Sequence, residues 1–317
     1  MSIKAPPSPA RGRRRGGPPA RTKRRASRGG LARLGPLPWI APVILLILAV
    51  VVYPIIELVR TSFLNISIAG KVRGSAGTDK FKELFEETDF GHVLLWTVLW
   101  TVVVVGVTMV LSLGLAQLFN QRFPGRRITR WALIAPWAAS VLMTAIGFKW
   151  MLNRTAGVLN TVMIDLGIID RSRDWLGEPG TAWPWMMFVA VFVSLPFTTY
   201  TLLAGLQTIP HDVYEAARID GSGSWQTYKG ITLPLLRPAL LVGVVINLIN
   251  VFNSFPIIWA MTQGGPGSDT ATSTVFMYKL KETDIGESAA MSTVNFAMVV
   301  LLVLIFLKVS RWNEEDS

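Results

Sequence analysis

The sequence contains no cysteine among its 317 residues and only two histidines, His92 and His211. Without cysteine the chain can form no disulfide, no thiolate metal site and no cysteine nucleophile. The histidines lie far apart, and neither has a metal-ligand partner at helical spacing, so we expect no zinc site. The GxxxxGK[ST] phosphate-binding motif is also missing, which excludes a nucleotide-binding loop of this type. With so little Cys and His, we predict no metal site, no nucleotide cofactor held by this motif, and no catalytic residue of the Cys or Cys–His type in this chain.

Charged residues are missing from the middle of six long apolar runs. Hydrophobic residues make up 51% of the chain, and the mean hydropathy is +0.43. About 20 apolar residues in a helix cross the hydrocarbon core of a bilayer, and most of these runs are apolar on all sides, unlike core helices of soluble proteins. We predict an all-α polytopic membrane protein with six transmembrane helices. The runs cover residues 34–56, 93–121, 131–148, 183–207, 238–261 and 288–307.

Most of the positive charge, formally +11, lies outside these runs. Residues 1–37 are rich in Arg, Lys, Gly and Pro, which predicts a disordered tail that contacts anionic membrane lipids rather than nucleic acid. Lys and Arg are also concentrated in the segments that share a side of the membrane with this tail. The positive-inside rule then places both termini in the cytoplasm, including a short tail over residues 313–317. The predicted membrane domain covers residues 38–312.

A polar loop over residues 208–236 separates the fourth run from the fifth. Asp212 and Glu215 have the spacing of a helix capping box. Gly221 suits the left-handed residue that ends a helix. The spacing of apolar residues from Trp225 onward predicts a second short helix, which Pro234 ends. The small apolar face and acidic first turn of the first helix favour docking into a groove on another protein.

This loop resembles the coupling loop, or EAA loop, of membrane permeases in bacterial ATP-driven importers. Within that family the chain is most similar to the maltose-type sugar permeases. The similarity extends over residues of about 38–312, and the basic tail lies outside it. The matching motifs are EAAxxDG from Glu215 to Gly221, IxLP from Ile231 to Pro234, Gly264-Gly265-Pro266 followed by Thr272 and Tyr278, Trp175-Leu176, and an NxxxGxxN-like run from Asn153 to Asn160.

The resemblance implies one half of a heterodimeric pore in the bacterial plasma (inner) membrane. The implied partners are a second permease subunit, a dimer of ATPase subunits that holds ATP and Mg, and an extracytoplasmic solute-binding protein. The chain itself is then not an enzyme. Closure of the ATPase dimer would move the loop and switch the pore between inward-open and outward-open states. The residues implied in this coupling are Asp212, Glu215, Ala216, Ala217, Asp220 and Gly221.

Uncharged polar side chains in the later runs indicate the solute path. Asn247, Asn250 and Ser254 fall on one helical face, and Pro256 can open the helix beside them. Amides in membrane helices also serve helix packing, and the solute site of such a pore can lie on the partner subunit, so both alternatives stay open. The lack of charge favours a neutral sugar or oligosaccharide. The predicted path residues are Ser194, Phe197, Asn247, Asn250, Ser254 and Asn295.

Three alternatives to a sugar importer differ in what the sequence would have to contain. Another polyol-like solute, such as a glycerophosphodiester, would call for cationic residues at the path. A non-transporting membrane scaffold would leave the helix after Asp212 without a role. An intramembrane enzyme would need clustered His, Asp, Ser–Lys or metal ligands within the runs, and none is visible.

Overall fold

The computed structural model describes residues 37–315; for residues 37–39, 136 and 309–315 it describes the backbone only. The predicted basic tail therefore lies almost entirely outside the described residues. The chain divides into one unit that ends at Tyr53 and a second that begins at Pro54. In the first, α1 (Leu37–Ile47) continues into a π-helical stretch, Leu48–Val52. Helix α2 (Tyr53–Thr61) begins at the last residue of this unit, and its other residues belong to the second unit. Residues 40–61 form one helix that is long and apolar enough to span a membrane.

The second unit consists mainly of helices. Four of them, together with the first helix, are long and apolar enough to span a membrane within the part of the chain that the structure describes. The last reaches Glu315, so it includes most of the predicted C-terminal tail. The helices are α3 (Asp79–Glu86), α4 (Phe90–Asn120), α5 (Arg126–Ala138), α6 (Val141–Met151), α7 (Val158–Asp165), α8 (Pro179–Gln207), α9 (His211–Ile219), α10 (Ser224–Thr227), α11 (Leu233–Phe252), α12 (Phe255–Met261), α13 (Ser273–Leu280) and α14 (Ile285–Glu315).

A short β-hairpin precedes α3, which is a local exception to the predicted all-α chain. Strands β1 (Leu64–Ile66) and β2 (Val72–Ser75) are antiparallel, with Leu64 opposite Ser75. The turn between them contains Gly70 at a φ of 77°. A left-handed residue of this kind lets the chain reverse tightly, and glycine adopts it without a steric penalty.

The third apolar run is not one continuous helix, which corrects the prediction for residues 131–148. Helix α5 ends at Ala138, and α6 begins at Val141. Between them Ser140 has an extended backbone, with φ −61° and ψ 139°. Ser140 is the N-cap residue of α6, so a new helix begins at Val141 instead of α5 continuing. With five long apolar helices described, six crossings remain a prediction.

The fifth run is also interrupted, as Pro256 predicts. Helix α11 ends at Phe252, and α12 begins at Phe255 with Pro256 in its first turn. Proline is tolerated there because the first-turn N–H groups have no partner within the helix. Asn253 and Ser254 form the short irregular connection.

Helices α4, α8 and α11 build the centre of the second unit. Trp100 on α4 is fully buried and donates its Nε1–H to the Val251 carbonyl at 3.0 Å. Thr97, one turn earlier, accepts the backbone N–H of Ser273 at 2.8 Å. Helix α8 approaches α11 at Gly205, where an added Cβ would lie 2.5 Å from the Cβ of Ala239. Glycine is therefore required at this crossing because any larger residue would collide with the facing helix.

One end of the second unit, here called the loop-rich end, contains three long connections. They cover residues 62–89, 152–178 and 262–284. Lys80 donates to Glu83 at 2.6 Å and to Asp284 at 2.8 Å, which joins α3 to the turn before α14. Burial alone would raise the pKa of Asp284, but hydrogen bonds from Lys80 and from backbone N–H groups lower it below its ordinary value. Burial alone would lower the pKa of Lys80, but its two carboxylate partners raise it. Trp183 donates to the Asp269 carbonyl at 3.1 Å and holds the third connection to α8.

Candidate functional site

The helix at the start of the 208–236 loop is α9, and it begins without the predicted capping box. Pro210 occupies the N-cap position with an extended backbone, φ −60° and ψ 142°. Proline suits this place because its missing N–H has no partner at a helix start. Asp212 therefore lies in the first turn, where its charge favours the helix dipole. Glu215 does not reach back to the cap; its Oε1 lies 3.2 Å from Nδ1 of His211.

The end of α9 confirms the prediction for Gly221. Its φ is 76°, and its N–H donates to the Arg218 carbonyl at 3.1 Å. The N–H of Ser222 donates to the Ala217 carbonyl at 3.0 Å. These two bonds form a Schellman motif, which satisfies carbonyls at the end of a helix. The glycine thus fixes the direction in which the chain leaves α9.

The predicted coupling residues do not all face outward. Asp212, Glu215, Ala216 and Asp220 are exposed, whereas Ala217 is buried against the chain's own residues. The small side chain of Ala217 therefore serves internal packing in this structure.

Two large apolar residues beside them are exposed instead. Ile219 is 86% exposed and Trp225 is 74% exposed, and Trp225 stacks on Tyr228 with 5.8 Å between ring centroids. Exposed aromatic and aliphatic groups on a polar loop are typical of a docking surface. From the sequence, Trp225 indicated only a second short helix, although a tryptophan in so polar a loop could have indicated this surface.

The base of the loop is helical and continues directly into the membrane segment. Helix α10 runs into a π-helical stretch, Tyr228–Thr232, and then into α11 at Leu233. The prediction that Pro234 ends the second helix is therefore wrong, because this proline lies in the first turn of α11. Tyr214 of α9 and buried Thr232 share a hydrogen bond between hydroxyls 3.3 Å apart. This contact joins α9 to the π-helical stretch that precedes α11.

A cleft of about 490 Å³ lies between the two interrupted helices and α8. The break between α5 and α6 contributes Ala139 and Ser140, and the break between α11 and α12 contributes Asn253 and Ser254. Interrupted helices at a cavity expose backbone groups and polar side chains that a continuous helix would occupy. None of the described residues that line it carries a charged side chain. The remaining lining residues are Trp137, Val141, Ala190, Val193, Ser194, Phe197, Ile246, Asn247, Asn250, Val251, Pro256 and Ile257.

Five of the six predicted path residues meet at this cleft, but their side chains are not equally available. Asn247 is buried and donates from Nδ2 to Thr198 Oγ1 at 2.7 Å and to the Gly243 carbonyl at 2.8 Å. Its amide therefore joins α11 to α8. The hydroxyl of Ser254 donates to the Val251 carbonyl at 2.7 Å. Asn250 is exposed, and its side chain forms no hydrogen bond with the described residues. Asn250 is thus the amide best placed to bind a ligand.

Asn295 lies elsewhere, so the structure does not place it on the path. It is buried on α14, where its Nδ2 lies 4.0 Å from the sulfur of Met277 on α13. This contact follows from the packing of α14 against α13. Trp137 and Ser140 were not among the predicted path residues, because a continuous third helix gave no reason to place them at a cavity. Ser140 was the available signal, since serine is favoured at the start of a helix.

Comparisons with known proteins agree with this architecture. Residues 108–314 match the family described as binding-protein-dependent transport system inner membrane component. A Brucella suis biovar 1 protein named "probable ABC transporter permease protein" is 38% identical over 87% of this chain and 96% of its own length. The trehalose/maltose transport system permease protein MalF of Thermococcus litoralis is 31% identical over 90% of this chain and 96% of its own length.

A solved structure has the same fold. It is a bacterial ABC transporter involved in the import of the acidic polysaccharide alginate, and a chain of it matches with a TM-score of 0.74. The sequence identity is 22%, and the match covers 89% of this chain and 96% of that one. The family match and the relatives together establish a multi-pass protein of the inner membrane. The chain belongs to the family of inner-membrane components of binding-protein-dependent transport systems, as an ABC permease subunit.

Proposed function

We propose that this permease subunit imports a neutral sugar or oligosaccharide by alternating access. The observation that carries the proposal is the cleft between the two helix breaks. Its lining combines amides, hydroxyls and the aromatic faces of Trp137 and Phe197, with no charged side chain. A hydroxyl-rich neutral solute needs hydrogen-bond partners and apolar faces but no counter-ion. The similarity to a trehalose/maltose permease supports the same solute class.

The uncharged lining also bears on the rival solutes. A phosphodiester group would need a cation to offset its charge in a site of low dielectric constant. Within the part of the chain that the structure describes, no Lys or Arg lines the cleft. The named solute of the structural relative is an acidic polysaccharide, but that likeness supports the fold only. A neutral solute therefore agrees best with the chemistry of this cleft.

The energy for transport would enter through α9. Its exposed acidic residues, together with Ile219 and Trp225, form a surface suited to a groove on a cytosolic ATPase subunit. The hydroxyl contact between Tyr214 and Thr232 and the continuous backbone into α11 would carry movement of α9 toward the break at Asn253. The proposed complex contains this chain, a second permease subunit, an ATPase dimer and an extracytoplasmic solute-binding protein, with both termini of the chain in the cytoplasm.

Uptake of radiolabelled neutral sugars by cells carrying the complete importer tests the solute class. Asn250→Ala should raise the KM for uptake about tenfold, because one or two hydrogen bonds contribute about 1–2 kcal/mol. Asn295→Ala is the matched control, an amide on another helix away from the cleft, and its KM should stay near that of the wild type. Equal KM values for Asn250→Ala and the wild type would place the solute site outside this cleft.

A second experiment tests the coupling surface and separates a transporter from a scaffold. Gly221→Asp should abolish uptake while the protein still inserts into the membrane, because it puts a side chain at a φ of 76° and adds a negative charge at the end of the docking helix. Glu215→Lys should do the same by reversing the charge of the docking face. Normal uptake in either variant, or a purified complex without an ATPase subunit, would contradict coupling through α9.

Orientation can be tested in the cysteine-free chain. Single cysteines at Ser75, Ser172 and Ser268 should react with an impermeant maleimide added outside the cell. A cysteine at Ser222 should react with the maleimide only after the membrane is permeabilised. The reverse pattern would place the 208–236 loop outside and contradict the proposed coupling.

A further inference from the structure

The connection between α6 and α8 is organised around one buried amide. Asn160 is 3% exposed, and its Nδ2 donates to the carbonyls of Asn153, Arg154 and Arg173 at 3.0–3.3 Å. Its Oδ1 accepts the Arg173 N–H and the Nε1–H of Trp175, both at 3.0 Å. Buried amides with all their hydrogen bonds formed hold a single conformation. We name these residues the Asn160 cluster; it explains why the sequence has asparagine at both ends of the 153–160 run.

The start of the same run also depends on its residue types. Oδ1 of Asn153 accepts the N–H groups of Thr155 and Ala156 at 2.9 and 3.1 Å, which forms a tight turn. At Gly157 an added Cβ would lie 2.2 Å from the Asn153 carbonyl oxygen. Glycine is therefore needed where the chain folds back. The connection thus has a fixed shape although it lies at the surface.

This fixed connection presents three arginines around a polar depression of about 830 Å³. Arg154, Arg171 and Arg173 line it, and all three are exposed. Their guanidinium groups form no ion pair or side-chain hydrogen bond within the described part of the chain. Exposed Ile168, at 60%, lines the same depression and adds an apolar contact. Arginine beside apolar groups on a rigid support is typical of protein interfaces.

Acidic residues lie between the arginines, which bears on the kind of partner. Asp170, Asp174 and Glu178 line the depression as well. A free anion would be attracted by the guanidinium groups but repelled by these carboxylates. A protein surface with charges in the opposite order can pair with both signs, and such a pattern fixes the relative position of two proteins. The mixed charge therefore favours a folded protein partner over a small anion.

Position in the fold identifies which partner can reach the depression. It precedes α8, whereas the 208–236 loop follows α8, and a helix of 29 residues is about 43 Å long. The two surfaces therefore lie at opposite ends of a membrane-crossing helix. A partner at the loop-rich end comes from the compartment opposite the ATPase.

We infer that the depression held by the Asn160 cluster is the surface on which the extracytoplasmic solute-binding protein docks. The guanidinium groups of Arg154, Arg171 and Arg173 bind carboxylates on that protein. This inference rests on the proposed import function and adds the contact surface to it. The Asn160 cluster keeps the arginines in place before the partner arrives, so little conformational entropy is lost on docking.

The test uses the assembled importer in lipid nanodiscs and, as probe, the purified solute-binding protein that supports uptake. The double variant Arg171→Glu/Arg173→Glu should raise the concentration of binding protein needed for half-maximal ATPase stimulation at least about tenfold. Basal ATPase activity should not change. Lys71→Glu/Arg73→Glu is the matched control, with two exposed cations reversed on the β-hairpin at the same end. Its half-maximal concentration should stay within about twofold of the wild type.

Equal values for the arginine variant and the wild type would overturn the inference, as would an equal shift in the control. A second measurement needs no variant: raising NaCl from about 50 to about 300 mM should weaken stimulation of the wild type, because salt screens charge pairs. A salt-independent response would contradict docking through charge. If no solute-binding protein stimulates the wild-type importer, the import function itself is wrong and the inference falls with it.

Discussion

The buried cation at the loop-rich end provides the sharpest test of how the fold is held together. Lys80 has a side chain that is only 9% exposed, and it lies between Glu83 and Asp284. Lys80→Met keeps most of the aliphatic length but removes the charge. It leaves Asp284 without its cation, although its carboxylate still accepts the backbone N–H of Glu287 at 2.9 Å.

The expected cost follows from the exposure of the three groups. Removing one member of a fully buried ion pair costs about 3–5 kcal/mol. The side chains of Asp284 and Glu83 are 25% and 53% exposed, so water screens part of the loss. We expect Lys80→Met to lower stability by about 2–4 kcal/mol, a decrease of about 4–8 °C in apparent Tm for a chain of this size. Thermal unfolding of the purified complex in detergent, followed by intrinsic tryptophan fluorescence, measures this change.

The same helix provides the matched control. Lys82 pairs with Asp79 at 3.1 Å, but both side chains are about two-thirds exposed, at 67% and 68%. Lys82→Met should therefore change stability by less than about 1 kcal/mol. If Lys80→Met and Lys82→Met lowered Tm equally, burial would not determine the strength of the pair and the reasoning would be refuted.

The pH dependence of this pair has a definite sign. The lowered pKa of Asp284 means that its contribution is present above its ordinary value of 3.8 and is lost as pH falls through the folded-state value. The raised pKa of Lys80 means that its contribution is present below 10.5 and is lost as pH rises through the folded-state value. The Tm difference between wild type and Lys80→Met should therefore be largest between these limits and smaller at either extreme.

Three further predictions concern other contacts. Gly205→Val should lower the free energy of unfolding by about 1–3 kcal/mol, because it overpacks α8 against α11. Ala239→Gly should raise Tm in a Gly205→Ala background, where it removes the colliding Cβ, but should not raise the Tm of the wild type. Asn160→Ala should cost about 2–4 kcal/mol and increase tryptic cleavage in the 153–175 connection, measured by peptide mapping. Trp225→Ala should weaken binding of the ATPase subunit by about 2 kcal/mol or more in a pull-down titration, whereas Trp225→Phe should keep most of the wild-type affinity. Equal affinities of the Ala and Phe variants would contradict an aromatic contact.

Sequence reasoning was most successful where one residue type determines the local structure. The apolar runs predicted the long helices, Gly221 predicted the end of α9, and Pro256 predicted the interruption of the fifth run. Each result follows from a short-range constraint: helix length against bilayer thickness, a positive φ, or a missing N–H.

Predictions that depended on tertiary neighbours were less successful. The capping box at Asp212 had the right spacing, but Pro210 took the cap position, and Pro234 proved compatible with a helix start. The path residues came together because they share helical faces. Asn247 nevertheless bonds a neighbouring helix, and Asn295 packs on Met277. Periodicity identifies the face of a helix but not the element opposite it, so it cannot separate a ligand contact from a packing contact.

The Asn160 cluster also affects how the α6–α8 connection can change over evolution. A single side chain supplies five hydrogen bonds to the backbone and to Trp175. The shape of the connection therefore depends little on its outward-facing side chains, and these can be substituted while the shape is kept. A paralogue could acquire a different docking partner by substitutions at Arg171 and its neighbours alone. Exchange of the residues at positions 154 and 168–173 between relatives should accordingly transfer partner preference without a redesign of the membrane helices.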